Sequence, residues 1–289
     1  MCLILSYLDR TVIIQAFKTD WRRIHSRCEF QVALLIGALF AIAGIAETNQ
    51  MNGLFTTLNT IQSPNVASLL GYSQVGDVLF AILPLLASFP CAWYYHFDVE
   101  NHLLSISLSR LGRSSYYLGK AIAISITSFL VSIFPYLLNL LFSLLAYPFP
   151  AYGLSPNNAY SSEFYFTKIK NGVLFPNLFL NNPLQHAFYL ILLIGVYGVL
   201  MALLTYSITL YFRKNMAVTM LLTTVLAFAG ILFMNIFGLS AWVLPLHLST
   251  DLLFVNGDIK KVLFEYALLT LLNFFLMGTK LFFDKDVLV

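Results

Sequence analysis

The chain has 289 residues, of which 59% are hydrophobic and only 10% are charged, with a formal net charge of +3. A water-soluble domain of this length could not cover its apolar surface with so few charged residues, so the composition excludes a soluble globular protein. The apolar runs show no period of two, which argues against a barrel. The sequence therefore predicts an all-α integral membrane protein.

Residues 1–29 precede the first long apolar run and are predicted to form an amphipathic interfacial helix. Phe17 and Trp21 fall on its apolar side, together with Ile14, Ile24 and Cys28, and the basic residues Arg22 and Arg23 lie nearby. Such a helix lies in the cytoplasmic membrane interface, with the indole at headgroup level and the cations in water. The alternative is a soluble helix that packs on a partner protein. We expect no cleavable signal peptide, because no basic region precedes the apolar residues 1–8.

Residues 30–289 are predicted to form a transmembrane domain of six helical spans. About 17–25 apolar residues are enough to cross the hydrocarbon core as a helix. The predicted spans are 30–46, 78–95, 120–147, 187–212, 216–237 and 262–283. Within them Asn139 and Asn273 are expected to form interhelical hydrogen bonds rather than to bind a ligand. Glu265 is expected to reach the outer membrane interface.

The distribution of basic residues predicts the orientation of these spans. Twelve of the 16 fall on one side: Arg10, Lys18, Arg22, Arg23, Arg27, Arg110, Arg113, Lys120, Arg213, Lys214, Lys280 and Lys285. The remaining four are Lys168, Lys170, Lys260 and Lys261. Basic residues near span ends are retained in the cytoplasm, so both termini are expected there, in a multi-pass protein of the cell membrane. No exposed basic domain remains to favour a nucleic-acid partner.

Two predicted external segments separate the spans. Residues 148–186 form the larger one, whose closely spaced aromatic residues indicate a belt at the membrane surface or a vestibule that contacts a substrate. Residues 238–257 are apolar enough for a seventh span, but Pro245, His247 and Asp251 lie at its centre. Ionisable groups are costly in lipid, so we expect a re-entrant segment in the outer leaflet.

Residues 96–119 form the predicted cytoplasmic loop between the second and third spans, and the pair Gly119-Lys120 lies where this loop meets the third span. A phosphate-binding loop needs four residues between its glycines and a hydroxyl residue after the lysine. Here six residues separate Gly112 from Gly119, and Ala121 follows Lys120, so the spacing excludes that loop. A short helix with Asp98 as its N-cap and Glu100 in its first turn is predicted instead, with Leu103 and Leu104 projecting on a cytoplasmic knob.

This loop resembles the coupling loop of the type 2 class of ABC transporter permeases. In that family an acidic residue, a Leu-Leu pair, Ser-Arg and Gly-Lys follow in order, which here are Glu100, Leu103-Leu104, Ser109-Arg110 and Gly119-Lys120. The amphipathic helix, the six spans and the re-entrant segment also agree with the family. The chain departs from it at Asn101-His102, where Gly-Thr is frequent, and at Ser107, where a proline is frequent. Arg113 competes with Arg110 for the arginine position by its distance from Lys120.

The resemblance implies the membrane subunit of an ATP-driven exporter. Cytoplasmic ABC ATPase subunits would bind ATP and magnesium, so this chain would need no cofactor, metal or catalytic residue of its own. A second permease copy or a related permease would complete the transporter, and the cargo would be an amphipathic drug, antimicrobial peptide or lipid-linked molecule. The residues implied in ATPase coupling are Asp98, Glu100, Leu103, Leu104, Arg110, Arg113 and Lys120.

Three other interpretations of the sequence stay open. The chain could be a multispan membrane enzyme acting on lipid or peptide bonds, although its five histidines are scattered and no metal-ligand spacing occurs. It could also be a polytopic receptor or scaffold. For the loop itself, the alternative is a basic segment that only fixes the topology. Cys2, Cys28 and Cys91 are expected near the cytoplasm as reduced thiols.

Overall fold

The computed structural model describes residues 10–52, 68–70, 73–101, 103–146, 173–212, 216–236 and 258–283. Within these ranges the chain forms α-helices and one 3-10 turn, Ser68–Leu70, and no strand. The helices are α1 (Arg10–His25), α2 (Cys28–Asn52), α3 (Gln74–Glu100), α4 (Leu103–Leu111), α5 (Arg113–Ala146), α6 (Pro176–Asn181), α7 (Pro183–Thr209), α8 (Met216–Ile236) and α9 (Ile259–Phe283). The predicted all-α class is confirmed.

Five helices in the described part of the chain are long and apolar enough to cross a membrane. They correspond to α2, α3, α5, α7 and α9, and they begin and end close to the predicted spans. The predicted span 216–237 coincides with α8, which is apolar over Ala217–Gly230. The chain is therefore a multi-pass membrane protein. The predicted re-entrant segment 238–257 lies outside the described residues, as does most of the predicted external loop 148–186.

Helix α5 lies at the centre of the bundle and packs against α1, α2, α3 and α7. A small residue permits its closest contact with α7. A Cβ atom at Gly198 would lie 1.9 Å from Oγ of Ser132, so only glycine fits at this crossing. Because lipid is as apolar as the side chains, helices in a membrane associate through such close contacts and through polar bridges.

Polar bridges join the helices at the end of the bundle where α2 ends and α3 begins. The Glu47 carboxylate accepts hydrogen bonds from Ser73 Oγ at 2.5 Å, Gln74 N at 2.8 Å and Val75 N at 3.1 Å. It thereby satisfies the first amide groups of α3, which no helical carbonyl can reach. Asn139 of α5 donates to the carbonyl of Ala41 in α2, at 3.2 Å, as predicted for an interhelical bond.

Hydrogen bonds also fix the relative directions of the last three long helices. Tyr266 and Asn273 of α9 donate to the carbonyls of Leu193 and Leu200, so α9 runs parallel to α7. Thr205 pairs with Thr223 at 2.9 Å, and Thr209 donates to Thr219 at 3.5 Å, so α8 runs antiparallel to α7. Helix α9 therefore ends at the same end of the bundle as α7. This is also the end where α1 packs, and we name it the α1 end.

These directions predict that the C-terminus and the segment 161–171 lie on opposite sides of the membrane. A topology reporter fused after Val289 should report the cytoplasm, and one inserted within residues 161–171 should report the exterior. The physical reason is the excess of basic residues at the α1 end. Two reporters on the same side would contradict the six-span arrangement.

Candidate functional site

The α1 end of the bundle contains a lysine and an aspartate that are both fully buried. Asp98 lies in the last turn of α3 and is 1% exposed, and Lys120 lies in the second turn of α5 and is 0% exposed. Lys120 Nζ lies 2.5 Å from Asp98 Oδ2. The Tyr116 hydroxyl donates to the same carboxylate oxygen at 2.7 Å and accepts from Lys120 Nζ at 2.7 Å. The three side chains form a closed hydrogen-bonded triangle that joins α3 to α5.

Helix α1 adds one acidic and one basic side chain to this triangle. Arg23 Nη1 lies 3.8 Å from Asp98 Oδ1, and its side chain is 46% exposed. Asp20 is buried and lies close enough to Lys120 to attract it electrostatically. The resulting ionic cluster, Asp20, Arg23, Asp98, Tyr116 and Lys120, contains two carboxylates and two cations. Buried charges are tolerated when they are paired, and the two carboxylates and two cations of this set balance one another.

Gly119, the residue before Lys120, lets α1 approach α5 closely. A Cβ atom at this position would lie 2.7 Å from Cβ of Ala16 and 3.3 Å from the amide nitrogen of Phe17. Ala16 is buried beside it, and Ile24 packs with Ala123 one turn further along α5. The Gly-Lys pair at the end of the predicted loop thus lies in a helix contact, where glycine provides the space and lysine provides the charge.

Helix α4 covers the ionic cluster and presents one side outward. Leu104 and Leu108 are each 8% exposed and belong to the same buried cluster as Tyr116 and Tyr117. On the opposite side Ile106 is 50% exposed, and Ser109 and Arg110 are exposed as well. The turn from α4 to α5 passes through Gly112, whose φ of +73° is a left-handed conformation that suits glycine.

Two predictions for residues 96–119 are wrong in their local structure. Asp98 is no N-cap, because α3 continues through it to Glu100, and the short helix begins only at Leu103. Leu104 does not project, because its side chain is buried on the side of α4 that faces the bundle. Lys120, just after this stretch, is buried against Asp98 and Tyr116. The predicted loop is helical over most of its length.

The other predicted coupling residues are distributed around this helical turn. Glu100 is 54% exposed on its side chain and pairs with His96 Nε2 at 2.9 Å, one turn earlier in α3. Leu103 is half-buried and begins α4, and Arg110 is exposed in its last turn. Arg113 is the first residue of α5. The structure therefore brings Asp98 and Lys120 together, and it places Glu100 and Arg110 on the outer surface.

A helix, α1, is present where the interfacial helix is predicted, and its predicted apolar side is divided between the bundle and the surface. Ile24 is buried, but Ile14 is 51% exposed and Cys28 is exposed, whereas Asp20 faces inward. Phe17 and Trp21 are half-buried and continue into a row of rings through His25 and Phe30. The ring centroids are separated by 5.9 Å, 3.8 Å and 4.3 Å along this row. Arg22 is exposed beside it.

Sequence reasoning missed Asp20, Tyr116 and Ile106. The four-residue spacing between Tyr116 and Lys120 was a usable signal, because it places both side chains on one side of a helix. Within the described ranges, no three His, Cys, Asp or Glu side chains converge as a metal site. No protein-family model matches the chain, and neither a curated protein nor a solved structure matches it.

We expect Lys120→Met to destabilise the protein by about 3–5 kcal/mol, because it leaves the Asp98 carboxylate buried without its closest cation. The double variant Asp98→Leu with Lys120→Met should recover much of that loss, since it removes both charges. Thermal unfolding of the purified chain in detergent measures the effect. Lys18→Met, at an exposed position of α1, is the control. Equal melting temperatures for Lys120→Met and Lys18→Met would show that the buried pair contributes nothing.

Gly119→Ala should loosen α1 from α5, because the new methyl group would overlap with Ala16. Adding Ala16→Gly should restore part of the stability by removing the opposing methyl group. The rescue is expected to be incomplete, since the backbone of α1 also lies close to this position. A double-mutant cycle of melting temperatures measures the coupling between the two positions. Additive effects would refute the close crossing.

Proposed function

We propose that the chain is the membrane-spanning permease subunit of an ATP-driven ABC exporter. It would act with cytoplasmic ABC ATPase subunits and with a second permease copy or a related permease. The observation that carries the proposal is the ionic cluster, which joins α1 directly to the spans α3 and α5, while Leu104 and Leu108 of α4 pack on its Tyr116. The order of residues in 100–120, which resembles the coupling loop of the type 2 permeases, agrees with this assignment.

The surface that would receive the ATPase combines an apolar residue with basic ones. Ile106, Ser109 and Arg110 of α4 and Lys18 and Arg22 of α1 are exposed at the α1 end, and we name them the coupling surface. A few apolar and arginine side chains typically supply most of the binding energy at a protein interface. Ile106 replaces the Leu-Leu pair as the expected apolar anchor, because Leu104 faces the bundle.

Motion at the coupling surface would reach the membrane through helices rather than through a flexible loop. Among the described residues between α3 and α5, only Asn101 and Gly112 are not helical. The Asp98–Lys120 pair joins the end of α3 to the start of α5. From α1, Arg23 pairs with Asp98 and Asp20 attracts Lys120. When the ATPase subunits close on ATP and magnesium, α3 and α5 would tilt together. This tilt would switch a central path for the cargo between access from the inside and access from the outside of the membrane.

The same end of the bundle would face the cytoplasm. Its basic residues include Arg22, Arg23 and Arg110, and the positive-inside rule then places both termini in the cytoplasm. In this orientation α1 lies at the cytoplasmic leaflet, where Phe17 and Trp21 meet the lipid headgroups. The cargo would be amphipathic, since the spans present apolar surfaces on which such a molecule could travel.

The coupling surface predicts a specific pattern of partner binding. Ile106→Ala and Arg110→Glu should each weaken the complex with the ATPase, by about 2 kcal/mol for Ile106→Ala, without changing membrane insertion. The matched control is Val78→Ala, because Val78 is 52% exposed but lies at the opposite end of the bundle. The measurement is affinity purification from the native host, with mass spectrometric identification of a partner carrying a nucleotide-binding loop. ATP hydrolysis is measured in the same preparation.

Two results would contradict the proposal. One is saturable ATP hydrolysis by the purified chain alone, because the ATPase is expected in a separate subunit. The other is purification under mild conditions without any ATPase subunit. Equal ATPase recovery with Ile106→Ala, Arg110→Glu and Val78→Ala would instead show that the partner binds elsewhere.

A further inference from the structure

Helix α9 carries a carboxylate within its membrane-spanning part. Glu265 is the seventh residue of α9, about 9 Å along the helix from its start. Its side chain is partly exposed, yet its Oε1 atom is completely buried and accepts no hydrogen bond from the described residues. An ionisable group within a span is costly unless it has a partner, so it commonly marks a functional position.

A second acceptor without a donor lies two helical turns further along α9. Asn273 is 4% exposed, and its amide nitrogen donates to the Leu200 carbonyl at 3.0 Å. Its Oδ1 atom is buried and accepts no hydrogen bond within the described part of the chain. The contact between α7 and α9 therefore contains two buried oxygen atoms that need donors, about 12 Å apart along the helix axis.

Aromatic rings line the same contact. Tyr197 of α7 lies close enough to Glu265 to interact with it electrostatically, and it stacks on Phe80 of α3 at 5.3 Å between centroids. Tyr266 lies next to Glu265 in the chain, but its hydroxyl donates to the Leu193 carbonyl at 2.7 Å. The Tyr266 hydroxyl is therefore not available as a donor to the Glu265 carboxylate. A partly exposed carboxylate at an apolar helix surface favours an organic cation, because the opposite charge offsets the cost of an ionised group in lipid.

The surface beyond Glu265 suits an apolar tail. Leu268 and Leu272 follow it at helical spacing along α9 and are 54% and 40% exposed. We propose that Glu265 binds the ammonium group of a cationic amphiphile, whose tail lies along Leu268 and Leu272 and which enters from the lipid. As a statement about cargo, this inference rests on the proposed function. The binding site itself does not require an ATPase.

The test uses the full chain in nanodiscs of phosphatidylcholine. The probe is a dodecylammonium ion that carries a photoreactive diazirine near its tail, and its uncharged analogue is the corresponding dodecanol. After illumination, mass spectrometry measures the labelled fraction of the α9 peptide as a function of probe concentration. We expect saturable labelling around Leu268 and Leu272 by the ammonium probe and only weak, non-saturable labelling by the alcohol.

Glu265→Gln should raise the half-saturating concentration of the ammonium probe by about tenfold, because it removes the charge and keeps the shape. Glu29→Gln, at the start of α2, should leave it unchanged. Lys261→Met should leave it unchanged or lower it, since Lys261 is the cation one turn before Glu265. If Glu265→Gln unfolds the protein, Glu265→Asp keeps the charge and should label with an intermediate half-saturation.

Equal labelling of wild type and Glu265→Gln, or equal labelling by the amine and the alcohol, would overturn the inference and indicate an ordinary lipid-facing surface. The same experiments distinguish a failure of this binding site from a failure of the proposed exporter function. Specific amine labelling in a protein that purifies without an ATPase would support the site and contradict the exporter. An ATPase complex that shows no specific labelling would do the reverse.

Discussion

The pairing of Lys120 with Asp98 is the contact on which the α1 end of the protein depends. Neither side chain is reached by water, so each charge needs the other, together with the Tyr116 hydroxyl. A lysine buried in this way fixes the end of α3 against the start of α5. Because Asp20 and Arg23 come from α1, the position of α1 is tied to the same pair of charges. The N-terminal helix is thus an integral part of the bundle.

The opposite end of the bundle is held by a different chemistry. There Glu47 receives three donors from the start of α3, and Asn139 bridges α2 and the 3-10 turn. Between the two ends, close contacts such as Gly198 against Ser132 hold α5 to α7. Polar contacts at both ends and small residues in the middle are a common way to assemble helices in lipid. The α1 end differs because its contacts are between opposite charges, and Arg23 is half-exposed there.

The sequence was sufficient to predict the helical class, the approximate positions of the long helices and the presence of α1. Long apolar runs have few alternatives in a membrane, and this constraint acts on each run separately. The interior of the site was harder to predict. Asp98 is a residue type that commonly begins a helix, and a polar stretch follows it. In the structure α3 nevertheless continues through Asp98, whose charge is neutralised by Lys120, 22 residues later. Leu104 faces inward because Tyr116 and Tyr117 provide a buried surface beneath α4. Both outcomes depend on tertiary contacts that no local pattern contains.

The central claim is that the ionic cluster joins α1, α3 and α5, and that α4 packs on its Tyr116 through Leu104 and Leu108, so that the four helices form a single unit. Its most direct test is the distance between spin labels on α1 and α4, placed at Lys18→Cys and Ser109→Cys, measured by pulsed electron paramagnetic resonance. Both labelling sites are introduced into a variant in which the native cysteines Cys2, Cys28 and Cys91 are replaced, so that only the new cysteines react with the spin label. We predict one narrow distance distribution that broadens when Lys120→Met is added. An equally narrow distribution at the same distance in a folded Lys120→Met variant would contradict the claim.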